Sequence, residues 1–268
     1  MKIAIISDIH SNPAALTKVL KDARSKGCEK IICLGDIVGY GYAPNECIDI
    51  CREEGIESLM GNHDAALVGE LELDWFNDYA RSAVLRQRGM VSEDNRKWLL
   101  HLPYTRLGVD AGLHKPEDEF QIALSHGTLE MPSRFDYILS ASDAALEFLT
   151  LEGKNIKVLF VGHTHCANVY FYDNGRISEN YIDLDDEEDI DLNQREHTII
   201  NVGSVGYPRK QPYSSYGIYD TAKHIFKHRI LPFDFDDYIA QMEQRGIKAP
   251  LWVESRKKQA EERQIGFR

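Results

Sequence analysis

The sequence predicts an α/β fold in a single domain over residues 1–268, with two β-sheets facing each other and helices outside. Three observations lead there. The first sixty residues alternate short apolar runs with amphipathic segments, the signature of strand–helix–strand units with a parallel sheet. Five short polar signatures built from Asp, Asn, His and Gly each follow an apolar run. Beyond the last of them the pattern changes to hairpin-like strands, which predicts antiparallel pairing in the second half.

Taken in order, Lys2–Ser7 reads as a buried strand and Pro13–Lys26 as a helix. Asn12 is placed to cap that helix, Pro13 takes its first position and Gly27 stops it. Lys30–Leu34 is a second apolar strand, Pro44–Glu54 a second helix ended by Gly55, and Ile56–Met60 a third strand. The stretch Ala65–Leu102 is expected to be helical, anchored by Trp75, Phe76, Tyr79, Leu85, Trp98 and Leu99, and to cap the site. Tyr104–Val109 and Phe120–Leu124 follow as strands around a polar turn, then Ser142–Glu152 as helix and Lys157–Val161 as strand. Asn168–Tyr172 and Arg176–Ile182 form a hairpin across Asp173-Asn174-Gly175, and Thr198–Val202, Tyr216–Tyr219 and His224–Ile230 add antiparallel strands. The acidic run Asp183–Asp191 is expected to be a solvated loop, and residues 234–268 a charged helical tail.

Composition narrows the function. The chain has 268 residues, 43% of them hydrophobic, enough to bury a substantial core. Its net charge of −12 argues against a general nucleic-acid binder, whose footprint is basic, so no stable nucleic-acid complex is expected. A local metal site can still reverse the field in one cleft. No apolar stretch approaches the ~20 residues that span a bilayer, and no charged leader precedes Ile3–Ile6, so a cytoplasmic protein without membrane association is expected. The five cysteines are an odd count and suggest no disulfide framework; Cys47 and Cys51, four apart, read as buried thiols, with metal or redox chemistry as the alternative.

The polar signatures are Asp8-Ile9-His10, Gly35-Asp36, Gly61-Asn62-His63-Asp64, Ser125-His126-Gly127 and Gly162-His163-Thr164-His165. Polar groups at the carboxyl ends of parallel strands are where α/β sheets place their sites. Asp8 and His10, like His163 and His165, are two apart and can point the same way from an extended strand end. Mixed oxygen and imidazole donors are what divalent metals require. Five of the ten histidines fall in these signatures; His101, His114, His197, His224 and His228 lie outside them and read as ordinary structural or surface residues.

This set, in this order, resembles the calcineurin-like metallophosphoesterase superfamily, and the match spans residues 8–165. More narrowly, Gly35–Gly41 and Asn201–Arg209 are similar to the bacterial and archaeal single-domain branch, which includes diadenosine-tetraphosphatase-like enzymes and small phosphodiesterases. The resemblance implies a four-layered α/β sandwich of two mixed sheets flanked by helices, with a helical cap insertion. It implies two divalent metal ions: Asp8, His10 and His165 on one, Asn62, His126 and His163 on the other, and Asp36 between them. His63 becomes the general acid, and a water shared by the two ions becomes the nucleophile. Manganese is the first expectation, with iron, zinc and magnesium open, because mixed N/O donors suit several metals.

One departure bears on substrate. In the protein serine/threonine phosphatases, and in the symmetrical diadenosine tetraphosphatases related to them, an arginine follows the bridging aspartate; here the chain reads Gly39-Tyr40-Gly41, and the aspartate that pairs with the acid histidine in the protein phosphatases is missing too. Arg134 or Arg209 can replace that cation, and Tyr40, Tyr42 or Tyr213 can stack on a base, surface exposure and turn packing being the alternatives. The expected reaction is hydrolysis of a phosphoanhydride or phosphodiester bond in a small nucleotide-type substrate, a dinucleoside polyphosphate being the specific version. A generic phosphodiesterase or phosphomonoesterase is the alternative, and a non-catalytic scaffold the rival from another class. Oligomeric state is left open.

Overall fold

The computed structural model describes residues 1–115, 117–181 and 189–262. Strand β1 (Lys2–Ile6) is buried on both faces, as a near-continuous apolar run demands. It pairs in parallel with β2 (Lys30–Cys33), which pairs in parallel with β3 (Glu57–Ser58). On its other side it meets β11 (Tyr213–Asp220), antiparallel, followed by β12 (Ile225–Pro232) and β9 (Ile190–Asp191). The first sheet therefore runs β3-β2-β1-β11-β12-β9. The second is built around parallel β5 (Ile122–Ser125), β6 (Val158–Val161) and β10 (His197–Asn201). Antiparallel β4 (Thr105–Leu107) flanks β5, and the hairpin β7 (Asn168–Asp173) and β8 (Arg176–Tyr181) flanks β10.

The period-two alternation of strands decides the layering. Ile3, Ile5, Ile32 and Leu34 point inward and share one apolar cluster with Val158, Phe160, Ile200 and Val202 of the second sheet. Ala4, Ile6 and Cys33 point outward, beneath α1 (Pro13–Ser25) and α2 (Pro44–Glu53). Ala123, Leu159 and Val161 point out from the second sheet and are covered by α6 (Ala141–Gly153). The result is a sandwich of two mixed sheets between helices. Asn12 caps α1, its side chain accepting the Ala15 N–H at 3.1 Å, and Pro13 opens the helix.

The long helical stretch expected between residues 65 and 102 is broken. It forms α3 (Asn62–Val68), a short turn at Leu73–Trp75, α4 (Asp78–Arg88) and α5 (Glu93–Leu100). Gly69 ends α3 in a left-handed conformation, and Asn77 and Ser92 cap the next two helices through their side chains. Trp75, expected as a packing anchor, faces solvent, and Leu85 is half exposed, while Leu99 is buried. Three strands differ most in extent: Ile56–Met60 shortens to Glu57–Ser58, Tyr104–Val109 to Thr105–Leu107, and Tyr216–Tyr219 lengthens to Tyr213–Asp220. Of the acidic run, residues 183–188 lie outside the described residues, and Ile190–Asp191 form an edge strand instead of a loop because they pair with Ile225 and Phe226. The tail forms α7 (Phe235–Gln244) and α8 (Trp252–Glu262), and residues 263–268 lie outside the described set.

All five cysteines are free; Cys33, Cys47, Cys51 and Cys166 are buried, and burial pushes their thiols up. Among the described residues no helix is long and apolar enough to cross a membrane.

Phe160 joins the sheets: fully buried on β6, its ring lies 5.6 Å from those of Tyr219 and Phe226 in the facing sheet. Phe160→Ala should lower the unfolding free energy by about 3–5 kcal/mol, the usual cost of an aromatic-sized cavity. Urea denaturation followed by circular dichroism would show it as a lower midpoint with an unchanged slope.

Candidate active site

The loops after β1, β2, β5, β6 and β10 converge on one edge of the sandwich, with the start of α3 between them. Backbone geometry there is unusual. Asp8 (φ 55°), His10 (48°), Asp36 (55°), His163 (66°) and His165 (60°) all occupy the left-handed region, which costs on the order of 1 kcal/mol per non-glycine residue. Cross-loop hydrogen bonds hold them: Asp8 N–H donates to Gly35 O, and His10 N–H to Asp36 O, both at 3.0 Å. A Cβ at Gly61 would strike Asp36, and one at Gly162 would strike Asp8, so these two glycines allow the loops to close on the carboxylates.

Two buried clusters result. In one, the ligating atoms of Asp8, His10, Asp36 and His165 lie within 4.8 Å of one another; in the other, those of Asp36, His126 and His163 do. Asp36 belongs to both. His10 Nε2 is 3.6 Å from Asp36 Oδ2 and 3.7 Å from Asp8 Oδ1, and His165 Nε2 is 3.2 Å from Asp8 Oδ1. His126 Nε2 is 3.4 Å from Asp36 Oδ2 and 3.3 Å from Asn62 Oδ1, which adds Asn62 to the second cluster.

The donor chemistry fits cations. The Nδ1 atoms of His10, His126 and His165 face the carbonyls of Val38, Leu34 and Tyr207. A carbonyl can only accept, so Nδ1 carries a proton in each, which leaves Nε2 as the atom turned inward toward the clusters. Two such nitrogens, on His10 and His165, stand 3.1 Å apart. Asp8 Oδ1 and Asp36 Oδ2 are buried with no hydrogen-bond partner. Facing lone pairs and bare carboxylate oxygens are what a positive ion would satisfy.

Titration follows the same field. Burial works against ionised Asp36, but His126, His63 and His10 hold its carboxyl well below the usual range. Burial likewise opposes a charged His126, yet Asp36 and Asp8 lift it to about 9. Burial holds His163 and His165 well below the ordinary histidine value, with neighbouring cations adding to the effect.

His63 sits beside the clusters. Its backbone N–H donates to Asp36 Oδ1 at 2.8 Å, and its ring packs against His10, Tyr40 and Phe76. Its Nδ1 is buried against Gly39 without a hydrogen-bond partner, and burial takes its pKa down to about 3. Asp64 does not pair with it. That buried carboxylate accepts the N–H groups of Ile37, Val38 and Gly61, tying the Asp36 loop to α3, and burial raises it to about 7.

A cavity of about 560 Å³ opens from Asn62, His63 and His163. Arg209 reaches into it. Its Nη2 donates to Tyr40 Oη at 3.0 Å, it also bonds Tyr137, and no carboxylate of the described residues lies within ion-pair distance. Arg134 stands at the rim, largely exposed and paired with Asp136 at 3.2 Å. Tyr40 is buried, stacked on Tyr207 with ring centres 3.9 Å apart, so its ring is committed to packing while its hydroxyl holds Arg209. Tyr42 and Tyr213 are buried and do not line the cavity.

Several contributors carry no sequence signature. Gln87 of α4 is fully buried; its Oε1 accepts from Gly39 N–H (2.7 Å) and Ser11 Oγ–H (3.2 Å), and its Nε2 donates to Gly41 O (3.1 Å). Ser204 Oγ donates to Asp8 O at 2.9 Å, and the ring of Tyr137 stacks on His163 at 3.7 Å. Mid-helix glutamine and a tyrosine in an irregular loop look like many others until the fold brings them in.

A sandwich of two mixed sheets with a histidine–aspartate site at one edge defines a metallophosphoesterase, and residues 1–224 match the calcineurin-like phosphoesterase superfamily domain. The chain belongs to that family of dinuclear metal-dependent enzymes and is a metal-dependent hydrolase of phosphoric esters. It is 34% identical over 256 residues to an uncharacterized protein of Methanocaldococcus jannaschii, covering 95% of this chain and 96% of that one. A metallophosphoesterase from Sphaerobacter thermophilus shares 32% identity and superposes with a TM-score of 0.76, over 96% of this chain and 97% of the other. A hypothetical protein from Pyrococcus horikoshii, 17% identical, shares the fold with a TM-score of 0.69 over 94% and 95% of the two chains.

Two outcomes are expected. Asp36→Asn should strip metal from both clusters together, since it removes their common carboxylate; elemental analysis after dialysis measures this, and loss from one cluster alone would contradict the sharing. Metal uptake near pH 7 should release about one proton, from His126, because a cation displaces the proton that Asp36 holds there. Affinity should therefore climb as pH rises towards 9 and level off above it, which calorimetry in buffers of different ionisation enthalpy would read.

Proposed function

We propose that the protein hydrolyses a phosphodiester or phosphoanhydride bond of a nucleotide-type substrate, with a dinucleoside polyphosphate as the specific candidate. The observation that carries this is one juxtaposition: two buried cation-seeking clusters at the floor of a cavity that holds a guanidinium with no carboxylate partner among the described residues.

In this reading Asp8, His10 and His165 would hold one divalent ion and Asn62, His126 and His163 the other, with Asp36 within reach of both. Manganese is the first choice of metal, since the mixed nitrogen and oxygen donors suit it, and iron, zinc or magnesium would suit them as well. When bound, the ions supply positive charge to the phosphate oxygens and acidify water. The remaining tasks fall to the chain. Arg209 binds a phosphate oxygen through a guanidinium that Tyr40 and Tyr137 keep aimed into the cavity. His63 donates a proton from Nε2 to the departing oxygen. Burial keeps that imidazole neutral in the free site, and an anionic substrate beside it raises its proton affinity. The helices between residues 65 and 102 cap the cleft and exclude water and bulky protein substrates. The run Gly39-Tyr40-Gly41 lacks the arginine that follows the bridging aspartate in the protein phosphatases, and that also supports a small substrate.

His63→Ala should retain metal and lower turnover by ~10²–10⁴-fold on esters with poor leaving groups, much less on p-nitrophenyl esters. Equal losses on both would rule out the acid role. Arg209→Ala should raise KM for diadenosine tetraphosphate far more than for p-nitrophenyl phosphate, because the cation adds binding energy only where the substrate offers further phosphates. Arg134→Ala should have a smaller effect, since Asp136 already engages that guanidinium. Steady-state kinetics with Mn²⁺ on both substrates and a phosphopeptide tests the set; a preference for the phosphopeptide would overturn the substrate class.

A further inference from the structure

Among the described residues the two most exposed large apolar side chains are Trp75 and Leu251, 93% and 86% exposed, and both line the cavity beside His63. They come from distant parts of the chain. Trp75 closes the short turn before α4, and Leu251 precedes α8, beyond the residues 1–224 that match the family domain. Phe76, next to Trp75, sets its ring edge-on to His63 with centres 5.0 Å apart, and Trp252, next to Leu251, packs edge-on to Tyr207 at 4.6 Å.

The C-terminal segment is fastened there. Tyr79 Oη donates to Lys248 O at 3.3 Å, and the Arg256 guanidinium donates to the backbone carbonyl of Arg209. Two polar groups near these rings are engaged within the chain: Asn77 Oδ1 accepts the Ala80 N–H at 2.9 Å, and the Tyr79 hydroxyl donates to Lys248 O. An exposed tryptophan and leucine in one concave wall mark a surface that a ligand covers.

We infer that this wall is a subsite for a flat aromatic ring, such as a nucleobase, carried on the leaving-group side of the phosphate. The inference rests on the roles given above to His63 and Arg209, and it adds where the rest of the substrate lies. His63 marks the side from which the leaving group departs, and Phe76 begins the wall at His63 itself. Arg209 holds the phosphate, and Trp75, Phe76 and Leu251 hold the ring. Trp75, Phe76 and Leu251 offer the ring apolar faces, so recognition works by stacking and apolar contact and is tolerant of base identity. A cavity of about 560 Å³ accommodates a nucleotide-sized ligand.

The test is calorimetric titration of the full chain in Mn²⁺ with AMP and with ribose 5-phosphate, which carry the same phosphate and differ in the ring. AMP should bind roughly 5- to 100-fold more tightly, the range for one stacked base, and UMP should keep most of that advantage. Trp75→Ala and Leu251→Ala, both at exposed positions, should each shrink the AMP advantage while moving ribose 5-phosphate little. Equal affinity of AMP and ribose 5-phosphate, or an AMP advantage that survives both substitutions, overturns the subsite. Hydrolysis of bis-p-nitrophenyl phosphate by the same preparation reports separately on the phosphoesterase reading. Its absence would sink that reading, while the binding comparison still decides the subsite.

Discussion

Asp8 and Asp36 are fully or almost fully buried, and an ionised carboxylate in such a place is costly unless every oxygen finds a partner. The chain satisfies one oxygen of each: His163 N–H donates to Asp8 Oδ2 at 3.0 Å, and His63 N–H to Asp36 Oδ1 at 2.8 Å. The other oxygen of each is left bare and turned toward imidazole nitrogens. The left-handed residues, the glycines that let loops touch the carboxylates, and the carbonyls that lock three imidazoles all follow from holding those two oxygens in place. Strain of this kind persists only where surrounding structure over-determines it, and here cross-loop hydrogen bonds do so.

The clusters also tie site to fold. Asp8, His10, Asp36 and Asn62 leave the first sheet, whereas His126, His163 and His165 leave the second. Each cluster draws on both sheets, so neither exists until the sheets have stacked through Phe160, Tyr219 and Phe226. A cation that binds only this assembled arrangement stabilises the sandwich as well as the site. The helices between residues 62 and 100 take part through Gln87, whose amide spans Ser11, Gly39 and Gly41, and through Asp64, which spans the Asp36 loop and α3. Those helices therefore brace the loop that carries Asp36 and line the cavity at the same time.

The cavity divides into two chemistries. Near the clusters it is polar, with His63, Asn62 and the Arg209 guanidinium; away from them it is aromatic and apolar. Arg209 and Arg134 illustrate why a cation's surroundings matter more than its presence. Both line the cavity, but Arg134 is paired with Asp136, whereas Arg209 bonds the Tyr40 and Tyr137 hydroxyls and has no carboxylate of the described residues within ion-pair distance.

The sequence by itself determined the parallel strands of the first sheet, the first two helices with the Asn12 cap of α1, and the order of the five polar signatures, whereas Thr198–Val202, expected to be antiparallel, pairs in parallel with β6 as well as antiparallel with β7. Those features are local: a period of two, a Pro after Asn, a Gly where a turn must close. It also singled out His10, His126, His163 and His165, which the fold gathers into the two clusters, because each follows an apolar strand. What only the tertiary structure decided depends on distant parts of the chain meeting. The expected long helix broke at Gly69, Asn77 and Ser92, since capping and packing over the site outweighed its helical pattern. Trp75 turned from an expected anchor into an exposed residue of the cavity, and the expected end of the acidic loop became β9 through pairing with β12. Gln87, Tyr137 and the segment before α8 have no pattern that marks them. Their roles arise from contacts between residues far apart in the chain, and a single chain read in one dimension carries no signal of which such contacts will form.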